Sequence, residues 1–577
     1  MEKKSNLGLA AARGTLLSIA LRLASFILSQ ATVRFVSAAA LGKASVPLEL
    51  LLGTALFISR EGFRLALTKE YGKESNADTK DARRLEQQMI NASWLSVPLG
   101  TMISMVAMYM HLRSCDRNIS MNYGQNNRSN GDLLDYKIAG VLYCMASFIE
   151  SLSEPIVIRC LQRMDVTTKA KSEGFALVIK SVTCFGCLYM LGSNLAVTAF
   201  GISQLIYGVT FTTMMYRHQR STKEGIQWPK RVNGASMVNP YKARNGTGGQ
   251  SFRSFDYQQL YLVLVFTLQG LFKHALTEAD KIVLSALAES YDQGIYAIAS
   301  SYGGLAARLL LQPIEENARL LFSRQGAEME KSMQSDPKQA TVTFSKQIYE
   351  MHEMYSFLLR TVCLIGLLFA TIAVNYTSVL LRILAGYRWG SNAQAISALS
   401  AFCVYTAFLS LNGITEAFVY GVARSGKDIG KLSIVHAVVG CVFAFIAPNL
   451  VAEHGAVGLV SANCICMAMR SLYSLQFAWN YFRNGDKSFS ISQMFRAMPH
   501  FLVVTAFAMS YVVTRASRDY FYDETFEGRT WMLASVKHIG VGLVGVCVTF
   551  AFTMMKEVEI RQAIKGLVLK KNDTFSC

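Results

Sequence analysis

Apolar stretches of about 18–25 residues, each long enough to cross a bilayer as a helix, recur along the whole 577-residue chain. No other feature constrains the fold as strongly. A soluble chain of this length would divide into several domains and carry more charge than the 17% found here, against 52% hydrophobic residues. The fold class read from the sequence is an all-α polytopic membrane protein.

Fourteen spans are counted, near 12–36, 42–68, 90–112, 136–158, 170–191, 195–216, 257–286, 292–323, 354–384, 394–422, 432–450, 456–482, 497–514 and 532–555. The first follows a basic start. It runs past signal-peptide length without a small-residue cleavage site, so it is expected to be retained. Loops after even-numbered spans, together with both tails, hold roughly 34 Lys and Arg, and loops after odd-numbered spans roughly 10. Both termini are therefore expected in the cytosol. The sequons at Asn118 and Asn127 then share a non-cytosolic loop. Those at Asn91, Asn245 and Asn572 face the wrong side, and Asn375 lies too close to the membrane.

The net charge of +18 fits loop orientation and anionic headgroups better than nucleic acid. Most of the 12 cysteines lie inside apolar stretches, and Cys184-Phe-Gly-Cys187 reads as two small apolar-like side chains in a span. His352-Glu353 has no second His four residues after His352, so no metal site is expected. No phosphate-binding G-x-x-x-x-G-K-[ST] stretch is present, and no cofactor is expected.

Numbering the spans brings out an internal repeat. Glu61-x-x-Arg64 in span 2 answers Glu316-x-x-Arg319 in span 8, and Glu150 and Glu154 in span 4 answer Asn412 and Glu416 in span 10. Gly42 and Gly294 open the two Glu-x-x-Arg helices. The offsets of about 252, 255 and 262 residues describe two parallel six-helix halves. The expected organisation is an N-lobe (1–216), a basic cytosolic linker (217–256), a C-lobe (257–482), and two further helices with a cytosolic tail (483–577). The lobes would surround a central cavity.

A charge in hydrocarbon must face the bundle interior, water or a partner. Arg60, Glu61, Arg64, Glu150, Glu154, Glu315, Glu316, Arg319 and Glu416 all fall toward the cytosolic ends of spans 2, 4, 8 and 10. Besides direct contact with a substrate, two roles fit such a layer. It could be a gate that opens and closes a cavity mouth, or a set of fixed struts joining span 2 to span 4 and span 8 to span 10. Deeper cations, Arg22, Arg34, Lys180, Lys273 and Arg308, would make a cavity that suits a phosphate-bearing ligand. Lys281, Arg470, Glu49, Glu278 and Asp280 complete the intramembrane charges considered. On span 8, at about 100° per residue, Arg308, Gln312, Glu315 and Arg319 fall within roughly 60° of one another. Pro313 among them predicts a kink, because it leaves the carbonyl of Leu309 without a donor.

At these residues the chain resembles the Rft-type oligosaccharide-lipid translocation proteins of the endoplasmic reticulum. The blocks that carry the resemblance are LFISREGFR (56–64), SEPIVIRCLQR (153–163), LTEADKIVLS (276–285), DQGIYAIASSYGGLAARLLLQPIEE (292–316), NGITEAF (412–418) and GLVSANCICMAMRSLYS (458–474). That family is similar in fold to multidrug and polysaccharide exporters with two six-helix lobes. The resemblance implies movement of a mannose-rich oligosaccharide on dolichyl pyrophosphate from the cytosolic to the lumenal leaflet, for N-glycosylation. It implies membrane lipids and other glycosylation proteins as partners, and no catalysis. One departure is that the family's usual Gly-Glu-Arg after Leu276-Thr277-Glu278 reads Ala279-Asp280-Lys281 here, and Lys281 cannot replace a bidentate Arg.

Three other classes share features with this sequence. A cation-coupled exporter of the same fold would want a carboxylate in span 1, which has none. A lipid-linked-sugar glycosyltransferase would place acids in the first lumenal loop, where FVSAAALGKASV offers none. A non-transporting scaffold of the same pathway would look the same in sequence.

Overall fold

The structure is a computed structural model that describes residues 27–71, 79–121, 127–163, 165–222, 228–230, 257–335, 340–423, 426–487, 489–522 and 526–562. Every regular element among these residues is helical. The chain forms two compact units, Met1–Ser285 and Ala286–Cys577.

The first unit opens with α1 (27–35) and α2 (Ala38–Lys43), then a π-helical turn at Ala44–Leu48 that contains Pro47, then α3 (Glu49–Tyr71). It continues through α4 (Thr79–Trp94), α5 (Ser96–Met121), α6 (Asn127–Leu152), α7 (Glu154–Gln162), α8 (Val166–Leu191) and α9 (Ala196–Ser221). After the linker come α10 (Tyr257–Thr277) and the start of α11 (Ala279–Leu287). The division between units falls at Ser285, so α10, which the sequence numbering groups with the later helices, belongs to this unit.

Close approach explains that placement. A Cβ on Gly62 of α3 would stand 2.7 Å from the Val263 carbonyl of α10, and only glycine admits that contact. His274 of α10 stacks on Phe57 with ring centroids 4.4 Å apart and meets Thr54 Oγ1 at 3.1 Å. Elsewhere in the unit, buried Asp135 of α6 accepts the Val197 and Thr198 N–H groups at 3.0 and 2.7 Å. It thereby satisfies two of the four orphan donors at the start of α9.

The fourth sequence span is broken. α6 and α7 meet at Ser153 with a bend of 44°, where Pro155 has no N–H to continue the ladder. The turn between α7 and α8 is closed by Asp165 N–H donating to the Cys160 carbonyl at 2.9 Å.

The second unit holds α12 (Ser290–Ala306), α13 (Gln312–Ser335), α14 (Ala340–Leu367), α15 (Thr377–Leu384), α16 (Tyr387–Gly390), α17 (Ala393–Val422), α18 (Gly426–Gly485), α19 (Ile491–Arg496), α20 (Phe501–Phe521) and α21 (Gly528–Lys556). Ahead of Pro313 the helix takes a π-helical turn at Ala307–Leu311. Pro313 is the second residue of α13, which continues from that turn without a break. The 60-residue α18 is two helices joined at Gly455, whose φ of 54° and ψ of −131° are closed to L side chains. The core of this unit is aromatic, with Phe418 packed against Phe322, Tyr355 and Phe482 at centroid distances of 5.1, 4.8 and 5.2 Å.

Among the described residues, seven helices are long and apolar enough to cross a membrane, or eight when α6 and α7 count as one span. The sequence count of fourteen is not reached by this measure. The first expected span lies largely outside the described residues, and the two halves of α18 count once.

Candidate functional site

Charged side chains gather on the inner faces of the first unit because α3, α6, α8, α9 and α10 each carry one or more polar residues in an otherwise apolar helix. They line a cavity of about 290 Å³. Its acids are Glu49, Glu150 and Glu278, and its cations are Arg60, Lys180 and Lys281, with Gln204, Tyr207 and His274 between them. Leu50, Leu52, Leu56 and Leu177 complete the wall.

Most of these charges are already engaged. Lys281 lies 2.9 Å from Glu278, one helical turn away. Arg60 faces Glu150 at 3.8 Å. Buried Glu150 also accepts a hydrogen bond of 3.0 Å from the Gln204 amide, so its second oxygen is satisfied. Lys180 is the third cation and stands within electrostatic range of Glu150. Three carboxylates against three cations and a histidine make the cavity polar and nearly neutral.

One turn further along α3, Arg64 reaches across to Glu154 in the first turn of α7. The two make a fork-to-fork contact, Nε to Oε1 and, at 2.7 Å, Nη2 to Oε2. Glu154 is buried and Arg64 half-buried. Glu61, half-buried, lies on the same helix. Beside them Arg159 of α7 is buried against Glu86 of α4. The strut reading joins span 2 to span 4, and this unit has that pairing twice.

The repeat predicts the same between spans 8 and 10, and there the second unit differs. Arg319 pairs within its own helix, 3.1 Å from Glu315. Glu316 accepts from Gln312 at 3.0 Å, also within α13. Glu416 of α17 is taken by Arg470 of α18, whose Nη2 lies 2.8 and 3.0 Å from its two oxygens. Asn412 donates to Glu416 at 2.9 Å, and His436 Nε2 stands 3.4 Å from it. Glu315 instead lies against the backbone of α17, 3.1 Å from where a Cβ on Gly413 would be.

Among the described residues, Lys180 is the one expected ligand cation that lines the cavity described above. Arg34 is exposed on α1. Arg308 is exposed and folds back to donate to the Gly304 carbonyl at 3.1 Å. Arg22 and the Lys273 side chain lie outside the described residues. Sequence reasoning gave no role to Gln204, His274 or His436, for which the available signal was a lone polar residue in an apolar run. Among the described residues one trio could ligate a metal, Cys160, Asp165 and His218.

The fold resembles solved transporters. An inward-facing multidrug resistance MATE family transporter of the MOP superfamily superposes with a TM-score of 0.51 at 11% identity, over 82% of this chain and 99% of that one. In sequence, the chain is 27% identical over 559 residues to the Mus musculus protein named Man(5)GlcNAc(2)-PP-dolichol translocation protein RFT1, covering 95% of this chain and 94% of the mouse protein. The Xenopus tropicalis protein of the same name is 26% identical over 97% of both chains, and that of Yarrowia lipolytica 29% identical over 83% of this chain and 71% of its own. The family model described as Rft protein matches residues 11–566, and the chain belongs to that family.

Proposed function

We propose that this chain is an intramembrane glycolipid transporter that moves Man(5)GlcNAc(2) carried on dolichyl pyrophosphate across the endoplasmic reticulum membrane, from the cytosolic to the lumenal leaflet. The observation that carries the reading is the family match over residues 11–566, joined to relatives named for translocating that lipid. The polar cavity of the first unit supports it physically. A sugar-pyrophosphate headgroup cannot cross hydrocarbon unaided, and a path lined by hydrogen-bonding groups lowers that barrier while the isoprenoid tail stays in lipid.

The cavity also limits the mechanism. At about 290 Å³ it sits at the lower end of the usual range for ligand pockets. It can take one sugar or the pyrophosphate, so the headgroup passes through in parts. Lys180 is the residue that meets the pyrophosphate, because Lys281 and Arg60 are already matched with Glu278 and Glu150. Arg64–Glu154 acts as a strut within the first unit, and the Glu416 network does the same in the second. The topology has both termini in the cytosol, as the Lys and Arg distribution requires. The protein acts as a carrier and makes no covalent change to the lipid.

The test is reconstitution of the purified chain in liposomes with labelled Man(5)GlcNAc(2)-PP-dolichol. Protein-dependent access of the headgroup to the opposite leaflet supports the transporter. Unchanged translocation kinetics with folded protein would show that the chain supports the pathway without moving the lipid.

A further inference from the structure

At one end of the first unit, away from the polar cavity, Cys160 of α7, Asp165 in the α7–α8 turn and His218 in the last turn of α9 each offer one ligand atom, all within 4.8 Å of one another. We propose that these three side chains form a site for a divalent transition-metal ion, with Zn²⁺ as the matching ion, and that the bound ion ties together the ends of α7, α8 and α9.

The local structure builds the site before any ion arrives. The Asp165 N–H donates to the Cys160 carbonyl at 2.9 Å, and this tight reversal places the carboxylate beside the thiol. Asp165 then divides its two oxygens. Oδ1 accepts from the Thr168 N–H at 3.2 Å as the N-cap of α8, and Oδ2 faces His218 Nε2 at 3.3 Å. The capping bond orients the ligating carboxylate, as outer hydrogen bonds do in established metal sites. A separation of 3.3 Å is also about the edge of a tetrahedron whose corners lie about 2.0–2.1 Å from a central Zn²⁺.

Donor chemistry selects the ion. A thiolate, an imidazole and a carboxylate suit Zn²⁺ and its neighbours, whereas Ca²⁺ and Mg²⁺ require oxygen donors. Cys160 is buried while the Asp165 and His218 side chains are 36% and 34% exposed, so the site is closed behind and open to solvent in front. An ion can enter from that side, and a water can complete four-coordination there. Cys160 and His218 are far apart in sequence, which is why no metal-ligand spacing announced the site.

Co²⁺ titration of the full-length protein, purified in detergent and stripped with chelator, tests the proposal. The expected result is saturation at one equivalent, with visible ligand-field bands and a near-ultraviolet thiolate-to-metal charge-transfer band, all displaced by Zn²⁺. Cys160→Ser should remove the charge-transfer band, and His218→Gln should weaken binding about tenfold or more. Zn²⁺ should raise the unfolding temperature of the wild type and not of His218→Gln. If Cys160→Ser does not fold, the partly exposed His218 variant carries the comparison. Wild-type spectra and Zn²⁺ response indistinguishable from those of His218→Gln would leave a His–Asp ion pair only and overturn the site.

Discussion

The Arg64 guanidinium holds the Glu154 carboxylate with both of its arms, Nη2 lying 2.7 Å from Oε2, and so pins α3 to the first turn of α7 just past the bend at Ser153. A carboxylate in that first turn also sits favourably at the positive end of the helix dipole. Removing one partner would strand a buried charge, which typically costs about 3–5 kcal/mol, while replacing both with apolar residues of similar volume is often close to neutral. Glu154→Gln should therefore lower the unfolding temperature in detergent strongly, and Arg64→Met with Glu154→Met should restore most of it. A double variant as unstable as the single one would show that the pair does more than brace the bundle.

The second unit invites the opposite experiment on its repeat-related residues. Arg319 and Glu315 are a partly exposed i, i+4 pair, so Arg319→Ala should cost no more than about 0.5 kcal/mol. Arg470→Met should be far more damaging, because it leaves Glu416 buried with weaker partners. A double-mutant cycle should find coupling between Glu416 and Arg470 and almost none between Glu416 and Arg319. Strong coupling in the second pair would restore the symmetry that the sequence repeat suggests.

Lys180 is the cavity cation assigned to the pyrophosphate. Lys180→Gln should slow lipid translocation in liposomes about tenfold, the loss of roughly 1.4 kcal/mol expected for one charge-assisted hydrogen bond, without changing the unfolding temperature. Headgroup access at the wild-type rate would remove Lys180 from the transport path.

Two glycines of α3 should respond in opposite ways to alanine. A Cβ at Gly62 would meet the Val263 carbonyl at 2.7 Å, forcing α10 away, and Gly62→Ala should destabilise the protein by about 1–3 kcal/mol. Beyond its own stretch of helix backbone, no atom lies within 4 Å of a Cβ at Gly53, so Gly53→Ala should be neutral or stabilise by up to about 1 kcal/mol. Comparing the two unfolding temperatures checks whether α3 and α10 pack as closely as described.

Two sequons are sealed by hydrogen bonds. Asn375 is buried, and its amide donates to Thr514 Oγ1 at 2.9 Å. Asn91, also buried, clamps the linker, donating to the Lys230 carbonyl at 2.8 Å and accepting its N–H at 2.9 Å, while Trp94 stacks on Trp228. Mass spectrometry after endoglycosidase treatment should find neither residue modified. Asn91→Ala should speed tryptic cleavage after Lys230 severalfold, and an unchanged digestion pattern would show that the clamp does not hold the linker.

Much of the fold was legible because hydropathy is a local property. The apolar runs located the helices, and the break at Gly455 and the π-helical turn ahead of Pro313 stand where residues that disrupt a regular helix occur in the sequence. Pro155 carries the same signal for the bend after Ser153, but the apolar run continues through it and hides the bend from hydropathy. The Glu-x-x-Arg repeat found Arg64 and Glu154, since a charged residue in a span must have a reason to be there. It misled at Glu416, because matching residues in two halves need not choose matching partners.

The chain by itself determined that it lives in a membrane, where most of its helices run and which family it belongs to. Only the tertiary structure decided who meets whom: Glu416 with Arg470, and Cys160 with Asp165 and His218. Spacing along one helix places a side chain on a face, but the rotation and approach of neighbouring helices decide what that face meets. Those are set by packing contacts, such as Gly62 on Val263, that no single segment contains.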